Sequence, residues 1–432
     1  MTDTINDGIV YDVASPFCGI ASDDLVIQVE GNTVTVKENG DSVTTPGFET
    51  PVTDLSPRIN GQPATLTQAV KHIAERLKNS KQPLIAGLGT DLNGARAAMS
   101  LADITRATVD SQFSDAAFRN ILVLQDSGYM TTTLTEVRNR VDFLLVVGTD
   151  IESSFPRFFE RIIWPEESMF GQNIEDRQVV YLGKKPSGSA STSPAGRRAQ
   201  VVECDESHLP EVISVLRALV KGKPVQAQSV GDIAITDLAD IAAKLNAAKY
   251  GVVTWSGTQL NHAHAEVTIQ NICEMVKEIN HTTRCNGLPL GGKEGDTTVN
   301  AVSSWQSGYP MRTSFSRNVP DYDPFLNRGQ RMLDDGEVDV LVWVSSFNTA
   351  GTPPKTEATT IVLGRSGMTF EQEPEVFIPV GVPGIDHAGR TFRCDSVVSV
   401  PLKKLRDSGL PSTFDVLTAV EQALSTEIDD VN

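Results

Sequence analysis

The stretch VDSQFSDAAFRNILVLQDSGYMTTTLTEVRNRVDFLLVVGTDIESSFPR, Val109 to Arg157, holds the clearest statement of fold in this chain. Near its end lies Val141-Asp142-Phe143-Leu144-Leu145-Val146-Val147-Gly148, an apolar run closed by a glycine. Such a run predicts a parallel strand covered on both faces, with a turn at its carboxyl end. Ligands of open α/β sheets collect at those carboxyl ends.

On either side the same alternation of short apolar runs and helical periodicities recurs. Towards the amino terminus, Thr65 predicts an N-cap for a helix through Ala69, Ile73 and Leu77. Pro83 to Gly87 predicts a strand and Asp91 to Ala102 the next helix. Their joint, Gly87-Leu88-Gly89-Thr90-Asp91-Leu92-Asn93-Gly94, reads as a tight strand-to-helix turn, because its third glycine sits too late for a nucleotide-binding GxGxxG. Leu25 to Glu30 and Thr33 to Lys37 flank Gly31-Asn32 as a hairpin. Towards the carboxyl terminus, strands are expected at Val179–Gly183, Gln200–Glu203, Tyr250–Trp255, Gly336–Val344 and Thr360–Gly364. Helices are expected at Leu209–Val220, at Asp232–Ala248 and after Val267. Strands alternating with helices predict an α/β fold.

Composition narrows the classes of partner. The chain has 432 residues, 40% of them hydrophobic, enough for cores of two or three domains. A net charge of −18 and a pI near 4.8 argue against nucleic acid and against an anionic membrane surface. No run of eighteen apolar residues and no charged-then-apolar leader pattern are present, so a cytoplasmic location is expected. The five cysteines, Cys18, Cys204, Cys273, Cys285 and Cys394, form no CxxC and read as reduced thiols.

Three segments invite a reading as sites. Lys184 to Arg198 is rich in small residues and carries Lys184, Lys185, Arg197 and Arg198 without an acid, in a chain with excess acid elsewhere. By composition it reads equally as a mobile surface loop. His262 and His264 open the apolar periodicity after Val267. On a helix they stand about 200° apart and cannot share a metal, so solvated or capping histidines are expected. The alternative is a metal-dependent hydrolase using His262, His264 and His387 with Glu266 or Asp386. A glycine-rich passage, Arg284-Cys285-Asn286-Gly287 through Gly291-Gly292-Lys293-Glu294-Gly295-Asp296, is the third.

The words Leu124-Gln125-Asp126-Ser127-Gly128-Tyr129, Glu136-Val137-Arg138-Asn139-Arg140, Pro156-Arg157, Trp305-Gln306-Ser307-Gly308-Tyr309-Pro310, Phe315-Ser316-Arg317 and Asp386-His387-Ala388-Gly389-Arg390 carry a resemblance over nearly the whole chain. The chain resembles the B subunit of formylmethanofuran dehydrogenase, of the molybdopterin oxidoreductases. The resemblance implies two doubly wound α/β units of molybdopterin-oxidoreductase type, one inserted in the other, behind a small β-rich cap. The expected boundaries are 1–55 for the cap, 56–130 with 284–432 for the first unit, and 131–283 for the insert. The relatives bind tungsten or molybdenum through a cysteine; an ungapped reading places Ala116 there. Their amino-terminal Cys-x2-Cys-x3-Cys, with a later fourth cysteine, carries an iron–sulfur cluster; here those positions are Ser15, Cys18 and Ser22.

Losing the metal-binding cysteines while keeping the fold words points to one branch of that family, the formyltransferase/hydrolase complexes of methylotrophic bacteria. The resemblance then implies a non-redox scaffold and carrier-binding subunit without tungsten, molybdenum or iron–sulfur cluster. Its partners would be an amidohydrolase-like formyl hydrolase subunit, a formyltransferase subunit and a dehydrogenase-like C subunit. Its ligand would be a methanofuran-like carrier with a glutamate-bearing tail, moved between formyl transfer from tetrahydromethanopterin and release of formate. The cleft residues expected to meet that tail are Lys184, Lys185, Ser187, Arg197, Arg198, Arg284, Lys293, Gln306, Arg312 and Arg317. A live molybdopterin dehydrogenase, with Asp115 beside Ala116 as a non-cysteine ligand, is the oxidoreductase alternative.

Overall fold

The computed structural model describes residues 8–20 and 22–429. The chain forms two compact units, Met1–Ser114 with Gly292–Asn432, and Asp115–Gly291. These limits differ from the expected breaks at 130 and 283. Cys285–Leu290 pairs in parallel with Gly251–Ser256, so the segment after 284 closes the second unit's sheet. Nor do the described residues of the expected cap, 8–20 and 22–55, stand apart. Gly8–Val13, Leu25–Glu30 and Thr33–Glu38 form a three-stranded antiparallel sheet. Alternation puts Leu25, Ile27 and Val29 inward, and their core is shared with Phe347, Val382, Ile385 and Leu405 of the first unit. A sheet of this size needs such backing to be stable.

The first unit is built on a nine-stranded sheet. Its parallel centre runs, in spatial order, Thr108–Val109, Pro83–Gly89, Val340–Ser345, Thr359–Arg365 and Val376–Val380. Short antiparallel strands continue it at both edges. In chain order this is 2-1-3-4-5, so the winding reverses between Pro83–Gly89 and Val340–Ser345. The expected N-cap Thr65 forms a capping box with Gln68 on the helix Leu66–Asn79, and Asp91, expected inside the next helix, is instead its N-cap, accepting from the Gly94 N–H at the head of Leu92–Thr105.

The second unit holds a five-stranded, all-parallel sheet in the order Gln200–Glu203, Gln178–Gly183, Phe143–Val147, Gly251–Ser256, Cys285–Leu290. Phe143–Val147, the apolar run that ends at Gly148, is its fully buried central strand. Chain order 3-2-1-4-5 places the reversal between Phe143–Val147 and Gly251–Ser256. Helices Leu209–Val220, Ile235–Ala247 and Ala265–Ile279 bury Leu216, Leu238, Ile241, Ile269 and Ile272 in one core with Leu145, Val180 and Val253. Among the described residues no helix is long and apolar enough to cross a membrane.

Candidate functional site

Each unit presents polar side chains at the carboxyl edge of its sheet, where the winding reverses. In the second unit that edge holds Gly148, Thr149 and Asp150 after one strand, and Gly257 and Gln259 after its neighbour. The Ser256 N–H donates to Thr149 Oγ1 at 2.9 Å. Gln259 is clamped: its Oε1 accepts from Asp150 N at 2.9 Å and Lys184 Nζ at 3.0 Å, while its Nε2 donates to Asp150 O and Ser154 Oγ. Ala116, in the first turn of the helix Ser114–Asp126, packs here. A Cβ built on Gly257 would lie 2.5 Å from the Ala116 carbonyl. Arg119 of the same helix donates to Gly257 O and, at 2.6 Å, to Asn261 Oδ1.

The expected carrier-binding cations do not gather at one place in this unit. Lys184, Lys185 and Ser187 leave the carboxyl end of Gln178–Gly183 and are exposed. Lys185 pairs with Glu203 at 3.7 Å. Lys184 meets the neutral amide of Gln259 and no carboxylate among the described residues. Arg197 and Arg198 instead precede Gln200–Glu203, at the amino edge, where Arg197 donates to the carbonyls of Glu175 and Arg177. Arg284 also lies at the amino edge, before Cys285. The two edges are a strand length apart, about 15–20 Å. A loop joining parallel neighbours must cross the whole sheet, and composition is blind to that crossing. Nor is the loop a loose one: Glu152 accepts from the N–H groups of Ala190 (3.1 Å) and Ser191 (2.8 Å), and Ser191 and Ser193 are buried.

In the first unit the carboxyl edge of Pro83–Gly89 and Val340–Ser345 is knitted by Ser346, whose N–H and Oγ both donate to Gly89 O, at 2.8 and 2.6 Å. Over it lies the turn Lys293–Gly295. Glu294 holds a left-handed backbone (φ 53°) and accepts from Gln112 Nε2 and Asn348 Nδ2, each at 3.3 Å. Gly295 is required there: at φ +82° a Cβ would stand 2.1 Å from the Thr90 carbonyl. Burial raises the Glu294 carboxyl, and burial pushes Asp296 up to about 7 against the pull of Lys293. Lys293 rests 5.3 Å from the Phe113 ring centroid. The Lys293 ammonium, with the Asp296 carboxyl held towards neutrality beside it, can donate hydrogen bonds to an anionic or carbonyl-bearing ligand. Gln112 and Asn348 lie outside every segment that the sequence suggests as a site, and of the passage that contains Glu294 and Asp296 only Lys293 is expected to meet a ligand. The signal available was a charged Lys-Glu-Gly-Asp inside a glycine-rich run.

The other expected residues of this unit lie apart from Lys293. Gln306 is at the far end of the helix Asp296–Ser307, exposed. Arg317 is exposed and pairs with Asp321 at 3.3 Å. Arg312 is buried and structural: it faces Asp110 at 3.8 Å and donates to Pro324 O and Ser114 Oγ. A guanidinium so enclosed is a tie between segments, not a ligand for solutes.

The positions that the resemblance matches to the cluster do converge, with a fourth. Ser15 Oγ lies 3.0 Å from Thr44 Oγ1, and Cys18 Sγ lies 3.6 Å from Ser22 Oγ; all four are buried. Burial raises the Cys18 thiol, disfavouring the thiolate. One protonated thiol and three hydrogen-bonded hydroxyls do not fit a group that needs four thiolates. Ala116 likewise offers no side-chain donor to a metal. His262 and His264 sit at the mouth of Ala265–Ile279, His264 as its left-handed N-cap. Among the described residues no three His, Cys, Asp or Glu side chains are grouped to hold a metal ion, which gives the hydrolase alternative no ligand set.

No family profile matches the chain. It is 25% identical over 414 residues to the B subunit of the tungsten-containing formylmethanofuran dehydrogenase 2 of Methanococcus maripaludis, covering 92% of this chain and 94% of that one. It is 26% identical over 328 residues to the B subunit of the formyltransferase/hydrolase complex Fhc of Methylorubrum extorquens, covering 76% of this chain and 85% of that one. A chain in the crystal structure of the complex FhcABCD from Methylorubrum extorquens, solved with methylofuran, superposes with a TM-score of 0.72. The two are 24% identical, and the match covers 86% of this chain and 100% of that one. The chain is a homologue of the Fhc B subunit and is similar to the B subunit of formylmethanofuran dehydrogenase.

Proposed function

We propose that this chain is the non-redox, carrier-holding B-type subunit of a formyltransferase/hydrolase complex. The observation that carries the reading is Ala116. It occupies the carboxyl edge of the second unit's sheet at the point of reversal, where an α/β sheet offers its binding crevice, and it brings no donor atom there. The buried hydroxyls of Ser15, Ser22 and Thr44 support the same reading, since Ser15 and Thr44 bond to each other and the thiol of Cys18 bonds to the hydroxyl of Ser22 and to backbone at Ile20 and Ser22. On this reading the chain carries no tungsten, molybdenum or iron–sulfur cluster and supports three partners: a formyl hydrolase, a formyltransferase and a dehydrogenase-like C subunit. Both units are of the doubly wound molybdopterin type, put to a new use.

The ligand of this subunit is a methanofuran-like carrier with an acidic tail. The residues that suit its tail are taken unit by unit: Lys184 at the carboxyl edge of the second unit and, as a separate candidate, Lys293 in the first. Arg284, Arg197 and Arg198, at the amino edge, leave this set. Lys184 suits the role because no carboxylate among the described residues neutralises it, so an incoming carboxylate gains a charge-assisted bond. Elemental analysis of the purified complex tests the non-redox reading: stoichiometric iron with acid-labile sulfide, or tungsten or molybdenum, overturns it. The variants K184E and K293E, made separately, test the two candidates, and a full complement of copurified carrier in both places the tail elsewhere.

A further inference from the structure

The amino edge of the second unit's sheet carries a hollow. Its volume is ≈ 300 Å³, and it is lined by Asn139, Arg140, Phe170, Gln172, Lys249, Tyr250 and Arg284. Its three cations come from three segments: the last turn of the helix Leu134–Arg140, the approach to Gly251–Ser256, and the approach to Cys285–Leu290. The parallel register sets Gly251 opposite Cys285, so Tyr250 and Arg284 are brought side by side by the sheet itself.

The charge of the hollow is positive after its own acids are counted. Glu136 is taken by Arg140. Asp142 accepts from the backbone N–H groups of Lys249 (2.7 Å) and Tyr250 (2.9 Å), which leaves the three cations against two carboxylates. The Arg140 guanidinium carbon lies over the exposed Phe170 ring, 4.1 Å from its centroid. The Tyr250 hydroxyl is oriented by Thr132 Oγ1 at 2.8 Å. The side chains of Lys249 and Arg284 have no hydrogen-bond or ion-pair partner among the described residues. Two unpaired cations sharing one small hollow repel each other, in a chain of net charge −18.

We infer that this hollow is a binding site for a compact organic anion with two or more negative charges, a phosphate ester or a small polycarboxylate. Lys249 and Arg284 supply the charge, Arg140 and the Tyr250 hydroxyl direct it, and Phe170 with the amides of Asn139 and Gln172 covers the remainder of the ligand. A volume of ≈ 300 Å³ suits a small molecule of this class and is at the low end of ligand pockets. The site is a strand length from the carboxyl edge of its own sheet, so it is separate from Lys184 and does not depend on the carrier reading.

Calorimetric titration of the full-length chain with pyrophosphate and, separately, with citrate tests this. Saturable binding at one site per chain with a Kd below about 1 mM is expected for at least one probe. Weakening of at least about tenfold is expected in K249Q/R284Q, whose fold is checked by circular dichroism. Tighter pyrophosphate binding assigns a phosphate ester, and tighter citrate binding assigns a polycarboxylate. The control K71Q, on an exposed helix face of the other unit, leaves binding unchanged. The proposal is overturned if neither probe saturates, if K249Q/R284Q binds like the unaltered chain, or if K71Q weakens binding to the same degree.

Discussion

Asp296 shows what a single residue at the candidate site does to the whole chain. Burial pushes its carboxyl up to about 7, with Lys293 opposing, while in the unfolded chain it titrates near the ordinary value of 3.8. Between those two values the folded chain holds a proton that the unfolded chain has lost. Its contribution to stability therefore falls as pH rises through that window and stays low above it. The isosteric variant D296N removes the titration. Its advantage over the unaltered chain, read from urea unfolding, is expected to grow between about pH 5 and about pH 8 by on the order of 1–2 kcal/mol, after discounting for partial exposure. An advantage that does not change with pH refutes this description of the carboxyl. Arg312 is the complementary case. As sequence it is one more cation beside shared family words; in the structure Asp110, Pro324 and Ser114 consume it.

Among the elements, the helix Ser114–Asp126 is seated on Gly257 more closely than any side chain permits. A Cβ there meets the Ala116 carbonyl at 2.5 Å and Asn120 Nδ2 at 3.1 Å. Because the first of these is backbone, G257A must push the helix off the strand end. A loss of about 1–3 kcal/mol in chemical denaturation is expected; a loss within error contradicts the close packing. How far such elements could be read from sequence depended on their chemistry. Phe143–Val147, Gln178–Gly183 and Val340–Ser345 are rich in β-branched and apolar residues, and burial on both faces leaves a pattern that needs no partner to be recognised. Cys285–Leu290, with sequence CNGLPL, was not recognisable, since glycine and proline contradict a strand; it is tolerated at the sheet's edge, where Pro289 has no further strand to disappoint. The loop Lys184 to Arg198 was legible as cationic but not as a crossing. Glu294 escaped because its role depends on Gln112 and Asn348, far away in sequence.

For the whole molecule, one stretch of the first unit stays conspicuously apolar at the surface. Trp305 is 60% exposed, Val319 58%, Phe325 66% and Leu326 62%. Exposed apolar residues in such number within one segment mark interaction surfaces. The chain expressed alone is expected to self-associate with rising concentration in sedimentation velocity, and a stable monomer at all concentrations argues against a partner for this segment. The proposed role of this homologue of the Fhc B subunit, carrier-holding and non-redox, stands or falls on what the protein binds. Mass spectrometry of the small molecules released when the purified complex is denatured reads that out. A methanofuran-like carrier with an acidic tail, and no pterin, is the expected result; release of a molybdopterin contradicts the role.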